Sequence, residues 1–516
     1  MSKQKLFLFF FIFCALLNAQ QKDPIIESMI SEVNERSQVE ILGHELMDEI
    51  GPRLVGTPEM KKAHDWAVAK YQSWGIEAKN EQWGEWRGWQ RGITHIDMVY
   101  PRVQTLDGTQ LAWSAATPKN GIKAEVVVLP TVKDSMAFQK WLPNVKGKIV
   151  MIGMKQKTGR PDYNWEEFAT PESFEKMKKE RKEQEDAWEE NMRKMGYTKR
   201  TISEVLENAG AVAIVDSYWS KGFGVSKIFS SRAKKIPTID LELEDYTMLY
   251  RLAESGKKPQ INIVSESKEL GIVPTFNTIG MIKGSEKPEE YVILSAHFDS
   301  WDGGTGATDN GTGTIVMMEA MRILKKYYPN PKRTILVGHW GSEEQGLNGS
   351  RAYVKDHPEI VQNVQALFNQ DNGTGRVVKI SGAGFVKSYD YLSRWLYPVP
   401  KNIKDEIETD FPGIPSSGGS DNASFVAAGA PAFSLSSLNW SYWNYTWHTN
   451  RDTYDKIVFD DVKSNVILTA ILAYMASEDP ARASNEKRIL PMSSRTGEQM
   501  TWPEPRDATR KGGLED

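Results

Sequence analysis

The sequence predicts an α/β fold: a mixed, mostly parallel sheet with helices on both faces, interrupted by an inserted, strand-rich region. From Phe276 onward short, near-continuous apolar runs alternate with helical patterns. Such runs mark strands buried on both sides by helices. Between about 105 and 270 the pattern changes to short strand-like runs separated by turn residues, which sets that stretch apart. The 516 residues, 40% hydrophobic and 10% aromatic, suffice for several packed cores and exclude disorder for most of the chain. Sixty-four Lys and Arg against 68 Asp and Glu leave a formal charge of -4. That balance lacks the basic excess of a nucleic-acid or anionic-membrane protein.

At the start, Lys3 and Lys5 precede an apolar run from Leu6 to Leu17, then Asn18 and Ala19. The run is too short to cross a membrane and fits a signal peptide over residues 1–19, leaving no membrane contact after cleavage. Cys14, the sole cysteine, would leave with it, so the mature chain has no disulfide, thiolate nucleophile or cysteine metal site. Residues 20–104 are expected to form the first part of the main domain, with helical periodicity over 25–50 and from Pro58 to Trp74, stopped by Gly75. Residues 105–270 form the insert, with strands near 124–129, 148–153, 211–215, 237–241 and 260–264. Within it, 172–195 is a dense mixture of Glu, Lys and Arg and reads as a solvated helical arm. The main domain resumes over 271–480. The polar, Pro- and Arg-rich tail, 481–516, has no periodicity and reads as loosely ordered.

In sheets of this kind ligands bind at the carboxyl ends of the strands. The strand ends here carry Ala296-His297-Phe298-Asp299, Gly341-Ser342-Glu343-Glu344, Asn369-Gln370-Asp371-Asn372 and, further on, Trp447-His448, while Asp309 follows a glycine-rich loop. Three carboxylates and two imidazoles can hold two divalent ions if Asp309 bridges: His297, Asp371 and Asp309 at one, Glu344, His448 and Asp309 at the other. Each ion then has three protein ligands and an open position, as catalytic zinc requires. The nitrogen and oxygen donor set suits Zn²⁺, two per chain, although manganese or cobalt could also occupy it. Glu343 and Glu344 are neighbours that cannot serve one ion equally. Glu343 is therefore the candidate general base and acid, taking a proton from the attacking water and returning it to a leaving amine. Asp299 is placed to accept the other ring N–H of His297, and Asp452 to do something similar. His44, His64, His95 and His357 read as surface or helix histidines, and His339 as packed. The loop Gly303-Gly304-Thr305-Gly306 lacks the Lys-Ser/Thr of a phosphate loop. Four sequons, at Asn310, Asn348, Asn372 and Asn422, fall inside these motifs, where glycans would obstruct them; a bacterial periplasmic or secreted setting is therefore expected.

This constellation resembles the co-catalytic di-zinc exopeptidase family, which includes secreted aminopeptidases and glutamate carboxypeptidases. Within it, Asp299-Ser300-Trp301-Asp302, Lys332-Arg333-Thr334, Glu343-Glu344-Gln345-Gly346 and His448 with Asp452-Thr453 resemble the carboxypeptidase Q, or plasma glutamate carboxypeptidase, group. The resemblance implies the zinc exopeptidase fold, peptide substrates with a free terminus, a candidate homodimer and a protease-associated insert, whose strands would include Val145 to Val150 and Ala209-Gly210-Ala211. It also implies a tyrosine that steadies the oxyanion, for which Tyr445 is nearest, and a supporting role for Asp421. Ser420-Asp421-Asn422 departs from the Ser-Asp-His of many relatives. Two rivals share the fold: a glutaminyl cyclase with one zinc, and a non-catalytic receptor without a ligand set.

Overall fold

The computed structural model describes residues 23–513, so the signal-peptide expectation, with Cys14, lies outside the described residues. Three adjacent parallel strands form the centre: Val364–Asn369, Lys287–His297 and Arg333–Trp340. Every residue of Arg333–Trp340 and Val364–Asn369 is buried, the state that their near-continuous apolar character predicts for strands covered on both faces. Ala432–Ser437 continues the parallel set, and Val377–Ser381 pairs antiparallel with it. Helices Thr312–Tyr327 and Phe459–Glu478 pack on one another and on Lys287–His297, and Pro24–Arg36 packs against both helices. The fold is the expected mixed α/β sheet, mostly parallel in its centre.

Beside Arg333–Trp340 runs Gln260–Ile282, antiparallel, and along most of its length it pairs with Glu77–Tyr100. These long strands make a ribbon that leaves the main sheet and enters the insert. There Gln260–Ile282 also pairs with Ile122–Val128, and the expected boundary at 270 falls inside it. The insert is more helical than its strand-like pattern suggests. Its parallel strands Ile149–Met151, Ala213–Asp216 and Thr238–Leu241 are short. They separate two apolar clusters, one with Ile149, Val215, Ile239 and Tyr246, the other with Phe138, Val150, Ile214 and Leu206. Helices Ser135–Trp141, Lys199–Asn208 and Leu243–Glu254 supply much of that apolar surface. The charged arm is helix Pro171–Met195, capped by the Thr170 hydroxyl, which accepts from the Ser173 N–H, and ended by Gly196 at φ 87°. It buries only Met177, Met192 and Met195.

The tail is held more firmly than its composition suggests. Trp502 packs on Phe385, Arg510 donates to the Trp83 carbonyl at 2.9 Å, and Lys511–Gly512 pairs with Glu85 and Trp86. A few anchors of this kind leave no periodic trace in the sequence.

Candidate metal centre

Three neighbouring strand ends converge on one edge: His297 closes its strand, and Glu343–Glu344 and Asp371 follow the next strands within four residues. The remaining ligand candidates come from turns. Asp309 lies just before helix Thr312–Tyr327, and His448 follows the short helix Tyr442–Tyr445. Ser342 and His448 adopt left-handed backbone angles, φ 62° and 58°, which non-glycine residues hold mainly where surrounding structure enforces them. The glycine loop is explained by closeness. A Cβ on Gly304 would lie 2.7 Å from the Thr449 carbonyl oxygen and 2.8 Å from that of Asp452, so only glycine lets this loop press on the segment carrying His448.

The five expected ligands come together as two triplets. His297 Nε2 is 3.0 Å from Asp371 Oδ1 and 3.3 Å from Asp309 Oδ1. His448 Nε2 is 2.9 Å from Glu344 Oε2 and 3.3 Å from Asp309 Oδ2. Asp309 thus turns one oxygen to each histidine. A third grouping of donor atoms, His297 with Glu343 and Glu344, shows that Glu343 also reaches the cluster, so proximity alone does not separate its role from a ligand's.

The surrounding residues hold this arrangement by its main chain. The Asp299 carboxylate accepts the N–H groups of Glu343 at 3.0 Å and Glu344 at 3.2 Å, and the Asp452 carboxylate those of Thr308 at 2.7 Å and Asp309 at 3.0 Å. The expected contact from His297 Nδ1 differs in detail: the Asp299 carbonyl oxygen is 3.0 Å away and its carboxylate 3.7 Å, because the carboxylate is turned to the glutamate pair. Trp301 Nε1 donates to Glu344 Oε2 at 2.9 Å. Arg53, fully buried, donates to the carbonyls of Gly51, Phe298, Thr305 and Gly306 and so ties the first helical segment to the site loop. Asp421 is buried beside this group of acids.

Tyr445 points elsewhere, its hydroxyl 3.0 Å from that of Tyr163 on the insert. Tyr442 is the tyrosine at the site: it is buried, and burial together with the charges of Asp309, Asp371, Glu344 and Asp452 raises its pKa well above the ordinary value. Sequence distance to His448 favoured Tyr445; only the turn of the short helix shows otherwise.

The donor set fits a pair of divalent cations. Seven carboxyl groups, Asp299, Asp309, Glu343, Glu344, Asp371, Asp421 and Asp452, crowd a region whose nearest buried guanidinium is Arg53. Removal from water, reinforced by neighbouring carboxylates, pushes Glu343 and Glu344 well above the usual range and Asp421 up to about 7. Burial lowers His448 to about 4, which keeps its imidazole neutral, the form that binds metal. Asp309 Oδ2 and Glu344 Oε1 accept no hydrogen bond among the described residues, although both are buried. Crowded carboxylates and free oxygens coincide at the triplet of Glu344, His448 and Asp309.

The chain is similar to several known proteins. Residues 277–472 match Peptidase family M28. That stretch includes all five ligand candidates and Glu343. Human carboxypeptidase Q is 27% identical over 439 residues, 84% of each chain, and the rat protein is 26% identical over 438 residues, again 84% of each. The crystal structure of a Peptidase M28 precursor from Shewanella amazonensis has a TM-score of 0.66 at 25% identity, covering 90% of this chain and 98% of that one. A zinc aminopeptidase from Bacillus subtilis shares the fold, with a TM-score of 0.54 at 18% identity over 87% of this chain and 97% of its own. The family match and the carboxypeptidase Q relatives support a metallopeptidase acting on peptides, and the likeness to the Bacillus subtilis enzyme shows the fold alone.

Proposed function

We propose that this chain is an exported two-zinc exopeptidase, acting on short peptides or dipeptides at a free terminus. The observation that carries the reading is the pair of donor triplets sharing Asp309. One ion would be held by His297, Asp371 and Asp309, the other by Glu344, His448 and Asp309. When bound, the ions supply Lewis acidity toward the scissile carbonyl and the attacking water. Glu343 takes the proton from that water and passes it to the leaving amine, and its raised proton affinity suits it to hold the proton between the two transfers. The Tyr442 hydroxyl is the donor for the oxyanion, replacing Tyr445 in that role. Asp299 and Asp452 keep the two ligand-bearing turns in place through the main-chain bonds described above.

The insert supplies no donor to either triplet. Its segment 226–229 lies along 447–450 and walls one side of the cluster, which supports action at a chain end over cleavage within long chains. Export is supported by the leader expected over residues 1–19; among the described residues no helix is long and apolar enough to cross a membrane. The full donor set argues against a one-zinc cyclase and against a receptor lacking ligands. The test is hydrolysis of a panel of dipeptides, free or blocked at either end, before and after chelation and zinc readdition. Zinc-dependent cleavage confined to peptides with a free terminus is expected; cleavage of doubly blocked peptides, or activity indifferent to chelation, contradicts the reading.

A further inference from the structure

One cation beside the centre, Lys227, forms no ion pair among the described residues. Lys227 belongs to the insert, yet its main chain is stitched to the segment that carries His448. Ser226 and Asn450 exchange two hydrogen bonds, with the Ser226 N–H donating to Asn450 Oδ1 at 2.9 Å and the Asn450 N–H to the Ser226 carbonyl at 3.0 Å. Lys227 bridges Thr449, and the Ile228 N–H donates to the His448 carbonyl at 2.7 Å. The Lys227 N–H also donates to Asp240 Oδ1 at 3.2 Å. The backbone under this side chain is therefore fixed. Its ammonium lies 4.1 Å from the ring centre of Trp447, which stacks on the His448 imidazole at 3.9 Å. It is half-buried, the charges of Asp240 and, after it, Asp309 act on it against the effect of burial, and among the described residues it forms no ion pair with a carboxylate.

The other cations nearby are occupied. Arg451, which its place after His448 makes the obvious candidate to meet a substrate, binds Glu242 at 2.7 Å and the Gly224 carbonyl at 2.7 Å. Arg91 makes a two-pronged pair with Asp302, and Arg53 spends its donors on main-chain carbonyls. A partly desolvated ammonium, held in place and lacking a partner, gains most from a carboxylate delivered by a ligand. We infer that Lys227 receives a carboxylate of the peptide substrate on the leaving-group side of the scissile bond, so that the insert sets which end of a peptide is accepted. The inference rests on the exopeptidase reading above. The same chemistry has two sources, the terminal α-carboxylate and an acidic side chain.

The experiment compares kcat/KM for Ala-Ala, Ala-Ala amide and Ala-Asp amide, using zinc-loaded wild type, Lys227→Met and Lys227→Arg. Methionine keeps the stem against Trp447 and removes the charge; arginine keeps the charge. Metal content and Tm verify that the variants are folded. Wild type should prefer a carboxylate-bearing peptide over Ala-Ala amide, and Lys227→Met should shrink that ratio by about 10- to 100-fold, the usual worth of a charge-assisted hydrogen bond. Lys227→Arg should restore part of it. Preference for Ala-Ala identifies the terminal carboxylate, and preference for Ala-Asp amide the side chain. Equal rates for all three peptides in wild type, or an equal loss on all three in Lys227→Met, overturn the inference and leave the peptidase standing. No hydrolysis of any of them by wild type removes both.

Discussion

At the scale of residues, the proposed function gives two adjacent glutamates different duties. Both are bonded to Asp299 through their N–H groups, but the Glu344 carboxylate also has one oxygen on His448 and Trp301 and another with no hydrogen bond among the described residues, as a ligand would. Four substitutions separate the roles of the glutamates and of the two tyrosines. Glu343→Gln should keep both metals and lose about 10²- to 10⁴-fold in kcat. Glu344→Gln should lose metal. Tyr442→Phe should lose about 10²- to 10³-fold in kcat with metals retained, while Tyr445→Phe changes kcat little. Metal analysis alongside steady-state kinetics checks all of these, and metal loss in Glu343→Gln with retention in Glu344→Gln would exchange the assignments. Four of the ligand candidates stand out in the sequence because each is at a strand end or beside a glycine turn with the right donor type, and His448 by its donor type alone. Tyr442 and Lys227 do not, since their approach depends on a four-residue helix and on a contact more than 200 residues apart in the chain.

At the scale of elements, the ribbon strand Glu77–Tyr100 is fastened to the end of helix Asn348–Asp356 by a pair between Glu81 and His357. The His357 side chain holds Glu81 down to about 2, and Glu81 in turn raises His357. The signs are opposite. The lowered carboxylate contributes stability above its unfolded value near about 4.3 and loses it as the pH falls toward 2; the raised imidazole contributes below about 6.5 and loses it as the pH rises through its folded value. The pair therefore stabilises most between about pH 4.3 and 6.5. His357→Gln should lower Tm more in that window than at pH 8 or above, and a Tm difference independent of pH would contradict this. The ribbon itself was not foreseen, because Glu77–Tyr100 mixes charged, tryptophan and glycine residues without clean alternation. The central strands were, since burial on both faces leaves a near-continuous apolar run. In the insert, strands of three or four residues show as apolar patches, but their parallel pairing and covering helices follow from crossovers that no local pattern encodes.

At the scale of the molecule, the sheet brings one edge of the main domain against an insert that shares a continuous ribbon with it, and the two meet in a cluster containing Trp83, Trp86, Trp89, Trp113, Ile228 and Trp301. Trp301 touches Glu344 and Ile228 touches the His448 backbone, so the packing that joins the two regions also fixes the second triplet. The central claim is that two ions share Asp309. Elemental analysis of the purified mature protein, with kcat followed as zinc is returned to the metal-free form, tests it most directly. The account predicts close to two zinc ions per chain at full activity, and one fewer in His448→Ala. Full activity with a single ion, or unchanged metal content in His448→Ala, would contradict it.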